Sequence, residues 1–215
     1  MKNMNPFDFF EEIYCINLDH RTDRWQLAQE EFEKLGIKDK VIRFSAISNP
    51  DGRIGIIKSN LEIVKIAKNK KLKNVLIFED DVKFLFENKP LENLQLAINQ
   101  SKNYKWKLFY LGANTHDKLI KISNNLIYLK NSFACHSLAY HESIYDKFIQ
   151  YASNVNIIKT PNDILDVWLA NEIQGKEICL MVNPLLTTQR ESYSDIEKRN
   201  VNYKFIEERF KNNIK

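Results

Sequence analysis

Short apolar runs alternate along the chain with longer segments whose apolar residues recur every three or four positions, which predicts strands separated by helices. Ile13-Tyr14-Cys15-Ile16-Asn17-Leu18 reads as a first strand, followed by a polar loop at Asp19-His20-Arg21-Thr22. A helix then runs to about Leu35, with Gly36 as its C-cap. Residues 41–44 form a second strand. After a turn at Asn49-Pro50-Asp51-Gly52, a helix carries Ile54, Ile57, Leu61 and Val64 on one face. Its basic end, Lys65 through Lys73, is a solvated surface. A third strand, Asn74-Val75-Leu76-Ile77-Phe78, runs straight into Glu79-Asp80-Asp81.

The second half is more mixed. A helix at 90–101 leads to a strand at 108–111 ending on Gly112. Asn124-Asn125 lies between two apolar pieces as a hairpin turn. A strand at 135–140 and a helix at 142–152 follow. Thr160-Pro161 opens a helix that stops at Gly175, and residues 177–182 are the last strand. Residues 183–195 read as a polar loop, and 196–215 as a charged terminal helix appended to the body. The β-α-β-α-β opening predicts a mostly parallel sheet with right-handed crossovers, flanked by helices. With no Pro/Gly/Ser linker, the expectation is one α/β domain over residues 1–215.

Composition narrows the partners. The 215 residues are 44% hydrophobic and 28% charged, enough for a core in an ordinary soluble protein. A net charge of +4 suits an anionic small substrate and does not indicate nucleic acid. Cys15, Cys135 and Cys179 are widely spaced and read as buried free thiols, which points to a reducing, cytoplasmic setting. No signal peptide or membrane-spanning run is visible.

The acids carry the candidate chemistry. Three adjacent carboxylates repel one another, and a strand's C-terminal end is where open α/β sheets place ligands. Oxygen ligands of this kind suit Mn²⁺ or Mg²⁺, which commonly arrive with phosphate. The plain alternative is an acidic turn that stops a strand. A Walker B strand would require a P-loop, and none is present; nor is a Gly-x-Gly-x-x-Gly turn, a zinc-type His/Cys cluster or a Gly-x-Ser-x-Gly elbow. One remaining reading is nucleotide-sugar transfer, in which a cation offsets charge on a diphosphate leaving group and a separate carboxylate takes the acceptor's proton. Arg21 and Arg24 suit phosphate binding, or equally a solvated helix start.

These residues together resemble glycosyltransferase family 25, which includes lipooligosaccharide and procollagen galactosyltransferases. The matching pieces are Ile16-Asn17-Leu18-Asp19 with Arg21 and Arg24, Gly55 through Ser59-Asn60, and Leu76 through Val82. They continue with Leu111-Gly112, Ala139-Tyr140, Pro161-Asn162-Asp163, and Gln189 with Ser194 and Ile196. The resemblance implies a GT-A type fold, a UDP-hexose donor (galactose or glucose), usually Mn²⁺, and inversion at the anomeric carbon. It implies a donor site of Asn17, Leu18, Arg21, Arg24, Gly55, Ser59, Asn60, Glu79, Gln189 and Ser194. Asp80 and Asp81 would hold the metal and diphosphate. The acceptor would be a glycan, a lipid-linked glycan or a collagen-like protein. A lipid-linked acceptor would bring peripheral membrane contact, for which the basic and apolar terminal segment is the candidate.

Asn60 stands where the family usually has His and cannot act as a base near neutral pH, so a relative that binds without turnover is the second reading. A metal-dependent phosphoesterase is the third. Asp163 is the catalytic candidate, yet Thr160-Pro161-Asn162-Asp163 equally describes a helix cap; Asp166, one turn later, is its substitute. Tyr140 reads as core, and His116 as a surface turn or part of the acceptor side.

Overall fold

The strands of the first half are apolar on consecutive positions because both of their faces are covered. In the computed structural model, which describes residues 5–194 and 198–214, β1 (Glu12–Asn17) leads through α1 (Thr22–Lys34) to β2 (Val41–Ser45). Helix α2 (Gly52–Asn69) returns the chain to β3 (Asn74–Glu79), and a short β4 (Val82–Phe84) follows the acids. Helix α3 (Pro90–Ser101) precedes β5 (Leu108–Tyr110), β6 (Asn114–Thr115), β7 (Ile120–Lys121), β8 (Leu126–Tyr128) and β9 (Ser132–Phe133). Then come β10 (Ser137–His141), α4 (Tyr145–Asn154), α5 (Leu165–Glu172) and β11 (Cys179–Val182). The chain closes with β12 (Thr187–Gln189), β13 (Ser192–Ser194), β14 (Arg199–Val201) and α6 (Lys204–Asn213).

The central sheet has eight strands in the order β2-β1-β3-β10-β5-β11-β8-β7. All run one way except β10 and β8. The expected α/β architecture, a large sheet running mostly one way between helices, is therefore present. Ile13, Cys15, Leu76 and Phe78 pack with α1 and α3 on one face. Tyr14, Ile16, Val75 and Ile77 pack with α2, α4, α5 and α6 on the other. Alternation along each strand thus divides one apolar run between two cores.

Topology fixes where the site lies. From β1 the chain first adds β2 on one side and then β3 on the other, so the winding reverses at β1. Crevices at the carboxyl ends of strands at such a reversal are the usual ligand sites of open α/β sheets. Register brings Ile16 opposite Glu79 and Asn17 opposite Ser45, so these strand ends form one edge.

Several local expectations change. The segment read as polar loop contains β12, which pairs antiparallel with β4 and sets Gln189 opposite Val82. The expected terminal helix is shorter: β13 and β14 pair first, and α6 begins only at Lys204. The helix expected to open at Thr160 is interrupted, because Ile164 is extended between the 3-10 turn Pro161–Asp163 and α5. Gly36, at φ +65°, ends α1 as expected. Ile196, part of the family resemblance, lies outside the described residues. Among the described residues, no helix is long and apolar enough to cross a membrane. Cys15 and Cys179 are buried free thiols, and Cys135 is partly exposed.

Candidate active site

A cavity of about 270 Å³ opens at the carboxyl ends of β1 and β3. Its walls include Ile16 and Leu18 from β1 and the loop after it, and Ala46 to Asn49 from the loop after β2. Gly55, Ile56 and Ser59 of α2, Arg24 of α1 and the three acids complete much of the remainder. The β2–α2 loop is pinned from beneath. Ser59 Oγ donates to the Gly55 carbonyl (2.8 Å) and accepts from the Ile47 amide (2.9 Å). Gly55 is required by that packing: a Cβ there would stand 2.7 Å from the Ile47 carbonyl oxygen.

The two aspartates differ sharply in their partners. Asp80 receives Arg24 Nη1 on Oδ1 (2.9 Å) and Asn17 Nδ2 on Oδ2 (2.7 Å). Asn17 is itself held by Arg43 Nε (2.9 Å). Arg24 Nη2 continues to Ser192 Oγ and the Tyr193 carbonyl, so one guanidinium joins α1, the acid and β13. Among the described residues, Asp81 has only Gln189 Nε2 at 3.3 Å as a side-chain partner, and its Oδ1 is buried with no hydrogen-bond partner. Burial pushes the Asp81 carboxyl up to about 6, with Arg24 opposing and Asp80 adding to the rise. Burial also raises Asp80, against Arg24 and the Asn17 hydrogen bond. Glu79 is raised well above the ordinary range by burial and by Asp81, Asp80 and Asp166. A buried carboxylate oxygen without a partner, on a residue that lines a cavity, is the kind of orphaned group a bound cation or water satisfies. Among the described residues no three His, Cys, Asp or Glu side chains converge as a closed cage. One or two carboxylates with phosphate and water making up the rest is the usual Mg²⁺ arrangement, and the residues fit that arrangement.

A second cavity of about 300 Å³ shares Ile56, Glu79, Gln189, Ser194 and Tyr203 with the first. It is further lined by Phe133, Ala134, Asp166 and Phe205, among others. Asp166 Oδ2 accepts from the Ala134 amide (3.1 Å) and Oδ1 from the Val167 amide (2.9 Å). Asn131, at φ +41°, is left-handed as asparagine tolerates, whereas Ala134, at +67°, adopts a costly conformation for a residue with a Cβ. Such strain concentrates at functional sites. Here it presents Phe133 to the cavity and the Ala134 amide to Asp166.

The structure thus gathers Leu18, Arg24, Gly55, Ser59, Glu79, Asp80, Asp81, Gln189 and Ser194 around one opening, with Asn17 behind Asp80. It places others elsewhere. Arg21 forks onto Asp23 and lies outside both linings. Asn60 donates to the Ile56 carbonyl and accepts from Tyr140 Oη (3.4 Å), again outside both linings. The side chain at that position therefore forms no part of either cavity wall. Asp163 Oδ2 accepts from the Lys159 and Thr160 amides and the Thr160 hydroxyl, completing a capping box, and lines neither cavity. Asp166, its substitute, does line one. His20 and Tyr203 also line the first cavity, unforeseen in the sequence. His20 adjoins the Asn-Leu-Asp motif, whereas Tyr203 carries no local signal.

No protein-family model and no curated protein matches the chain. Neither comparison supports the family 25 resemblance. Solved structures with a related chain path include a glycosyltransferase involved in glycosylation of the major capsid of PBCV-1, 12% identical, with a TM-score of 0.43 over 70% of this chain and 67% of that one. Another is A197 from STIV, at 8% identity and TM-score 0.46 over 88% and 92%. A third is mannose-1-phosphate geranyltransferase from Thermus thermophilus, at 7% and 0.45 over 80% and 72%. Similarity at this level bears on neither activity nor substrate.

Proposed function

We propose that the protein is a glycosyltransferase of GT-A type that moves a hexose from a UDP-sugar to an acceptor hydroxyl. The observation that supports this most directly is the unpartnered, buried Asp81 Oδ1 at a strand end in a cavity that joins a second, acid-lined one. In this reading the first cavity takes the nucleotide and the second the acceptor. Asp81, with Asp80, would hold Mn²⁺ or Mg²⁺, which when bound supplies positive charge against the departing diphosphate. Asn17 and Arg24 keep Asp80 oriented, and Gln189 orients Asp81. Asp166 accepts the proton of the acceptor hydroxyl as that oxygen attacks the anomeric carbon, giving inversion. Its two amide donors fix the carboxylate and leave it lone pairs for that hydroxyl.

The test is thermal stability with a panel of nucleotide sugars, with and without Mn²⁺, in the wild type and in Asp81→Asn. A ligand that binds only the folded state raises its apparent stability. A manganese-dependent rise with one UDP-sugar, absent from Asp81→Asn, is expected. No rise with any nucleotide sugar in folded protein would overturn the assignment.

A further inference from the structure

Beside the second cavity, against two of its wall residues, lies a cation that no described carboxylate pairs with, Arg209. Asn114, in the cavity wall, accepts Arg209 Nη1 at 3.0 Å. The same nitrogen lies 2.8 Å from His116 Nε2. Neither partner is a carboxylate: burial and Arg209 itself hold His116 below its ordinary range, against the opposing pull of Asp117. No carboxylate pairs with Arg209 among the described residues, and its Nε and Nη2 make no hydrogen bond there. The guanidinium lies over Phe205, 5.2 Å from the ring centroid, and His116 packs edge-on to Phe133 at 4.9 Å. Phe205 and Phe133 are both cavity walls. Arg209 is exposed and held in place from two sides.

We infer that this cluster binds an oxyanion, carboxylate or phosphate, carried by the acceptor saccharide, making the acceptor an acidic glycan. This rests on the second cavity being the acceptor site. The cavity is polarised for such a ligand. Asp166 lines it and suits the hydroxyl that must lose a proton; Arg53 lines it too but forks onto Asp51, whereas Arg209, against the Asn114 and Phe205 wall, offers a planar two-donor fork that matches an oxyanion. Phe133 and Phe205 add apolar surface to the same cavity. An anion close to Asp166 would be repelled, so the same arrangement fixes which end of the acceptor enters first.

The experiment is ligand-observed NMR on the full chain with glucuronic acid, galactose 6-phosphate and glucose as matched probes, UDP binding being followed in parallel. Arg209→Met is compared with Lys211→Met, an equal charge change at another exposed position of α6. The expected result is that one or both charged probes bind at least tenfold more tightly than glucose. Arg209→Met abolishes that preference, and Lys211→Met keeps it. Preference for glucuronic acid alone identifies a carboxylate, and for galactose 6-phosphate alone a phosphate. Equal binding of all three probes, or equal loss in both variants, would overturn the inference. Both variants retain UDP binding. Failure of UDP to bind the wild type overturns the donor reading instead, so the two failures are distinguishable.

Discussion

Arg24 and Asp80 are joined across 56 positions of sequence by a 2.9 Å ion pair whose side chains are 13% and 9% exposed, while the adjacent Asp81 has no cationic partner among the described residues. A largely buried pair contributes little net stability when intact, but breaking it strands a charge. Arg24→Met is therefore expected to lower unfolding stability by about 3 kcal/mol, the lower end of the range for buried pairs. It also frees β13 from α1, since Ser192 and Tyr193 lose their donor. Adding Asp80→Asn should restore part of the loss. Urea denaturation of the two single variants and the double variant measures that coupling.

The legible part of this site is the part built locally. An apolar run that ends in Glu79-Asp80-Asp81 announces both a buried strand and a polar strand end, and the structure contains both. Arg24, Asn17, Leu18 and Gly55 follow from short motifs beside the first strands. The partner of Asp81 was not legible as a contact, because Gln189 reaches it only through the pairing of β4 with β12. Those strands have three residues each, too short for periodicity to register. Tyr203 and Arg209 arrive through the fold-back of the terminal segment, which in sequence is a charged stretch like many others. Asn60 sits off the apolar stripe of α2 yet is 3% exposed, because Tyr140 from β10 covers it. No pattern within α2 could show that.

Gly55→Ala tests how closely the nucleotide wall is built. The added Cβ would meet the Ile47 backbone oxygen at 2.7 Å, and backbone cannot rotate aside as a side chain can. Overpacking of this kind costs about 1–3 kcal/mol. The shift also moves Ile47 to Asn49, which line the first cavity, so UDP binding should weaken more than binding of saccharides in the second. Calorimetric titration with UDP, alongside thermal melts, checks both effects.

His136 sets a pH dependence. The ring is fully buried, its Nδ1 has no partner among the described residues, and burial lowers its pKa from 6.5 to about 4. The unfolded chain takes up a proton near pH 6.5, whereas the folded chain resists until about 4. Its contribution is therefore present in full above pH 6.5 and is lost progressively as pH falls towards 4. The shift corresponds to roughly 3 kcal/mol over that window. His136→Gln, which keeps a polar contact to Thr187, should flatten stability between pH 6.5 and 4 relative to the wild type. Urea midpoints at half-unit pH intervals measure the slope; equal slopes would show that the acid sensitivity arises elsewhere.

Asp163 and Asp166 separate capping from catalysis within one segment. Asp163 holds three donors of its own turn, and those hydrogen bonds draw its carboxyl below the ordinary range. Asp166 faces the second cavity on a carboxylate fixed by two amides. Asp163→Asn is expected to lower the melting temperature slightly and leave turnover near wild type. Asp166→Asn, isosteric but unable to take a proton, is expected to reduce kcat by about 10²–10⁴-fold, the usual contribution of a general base. UDP-sugar binding in Asp166→Asn should be unchanged, because the side chain is outside the first cavity. Turnover surviving in Asp166→Asn and lost in Asp163→Asn would reverse the roles.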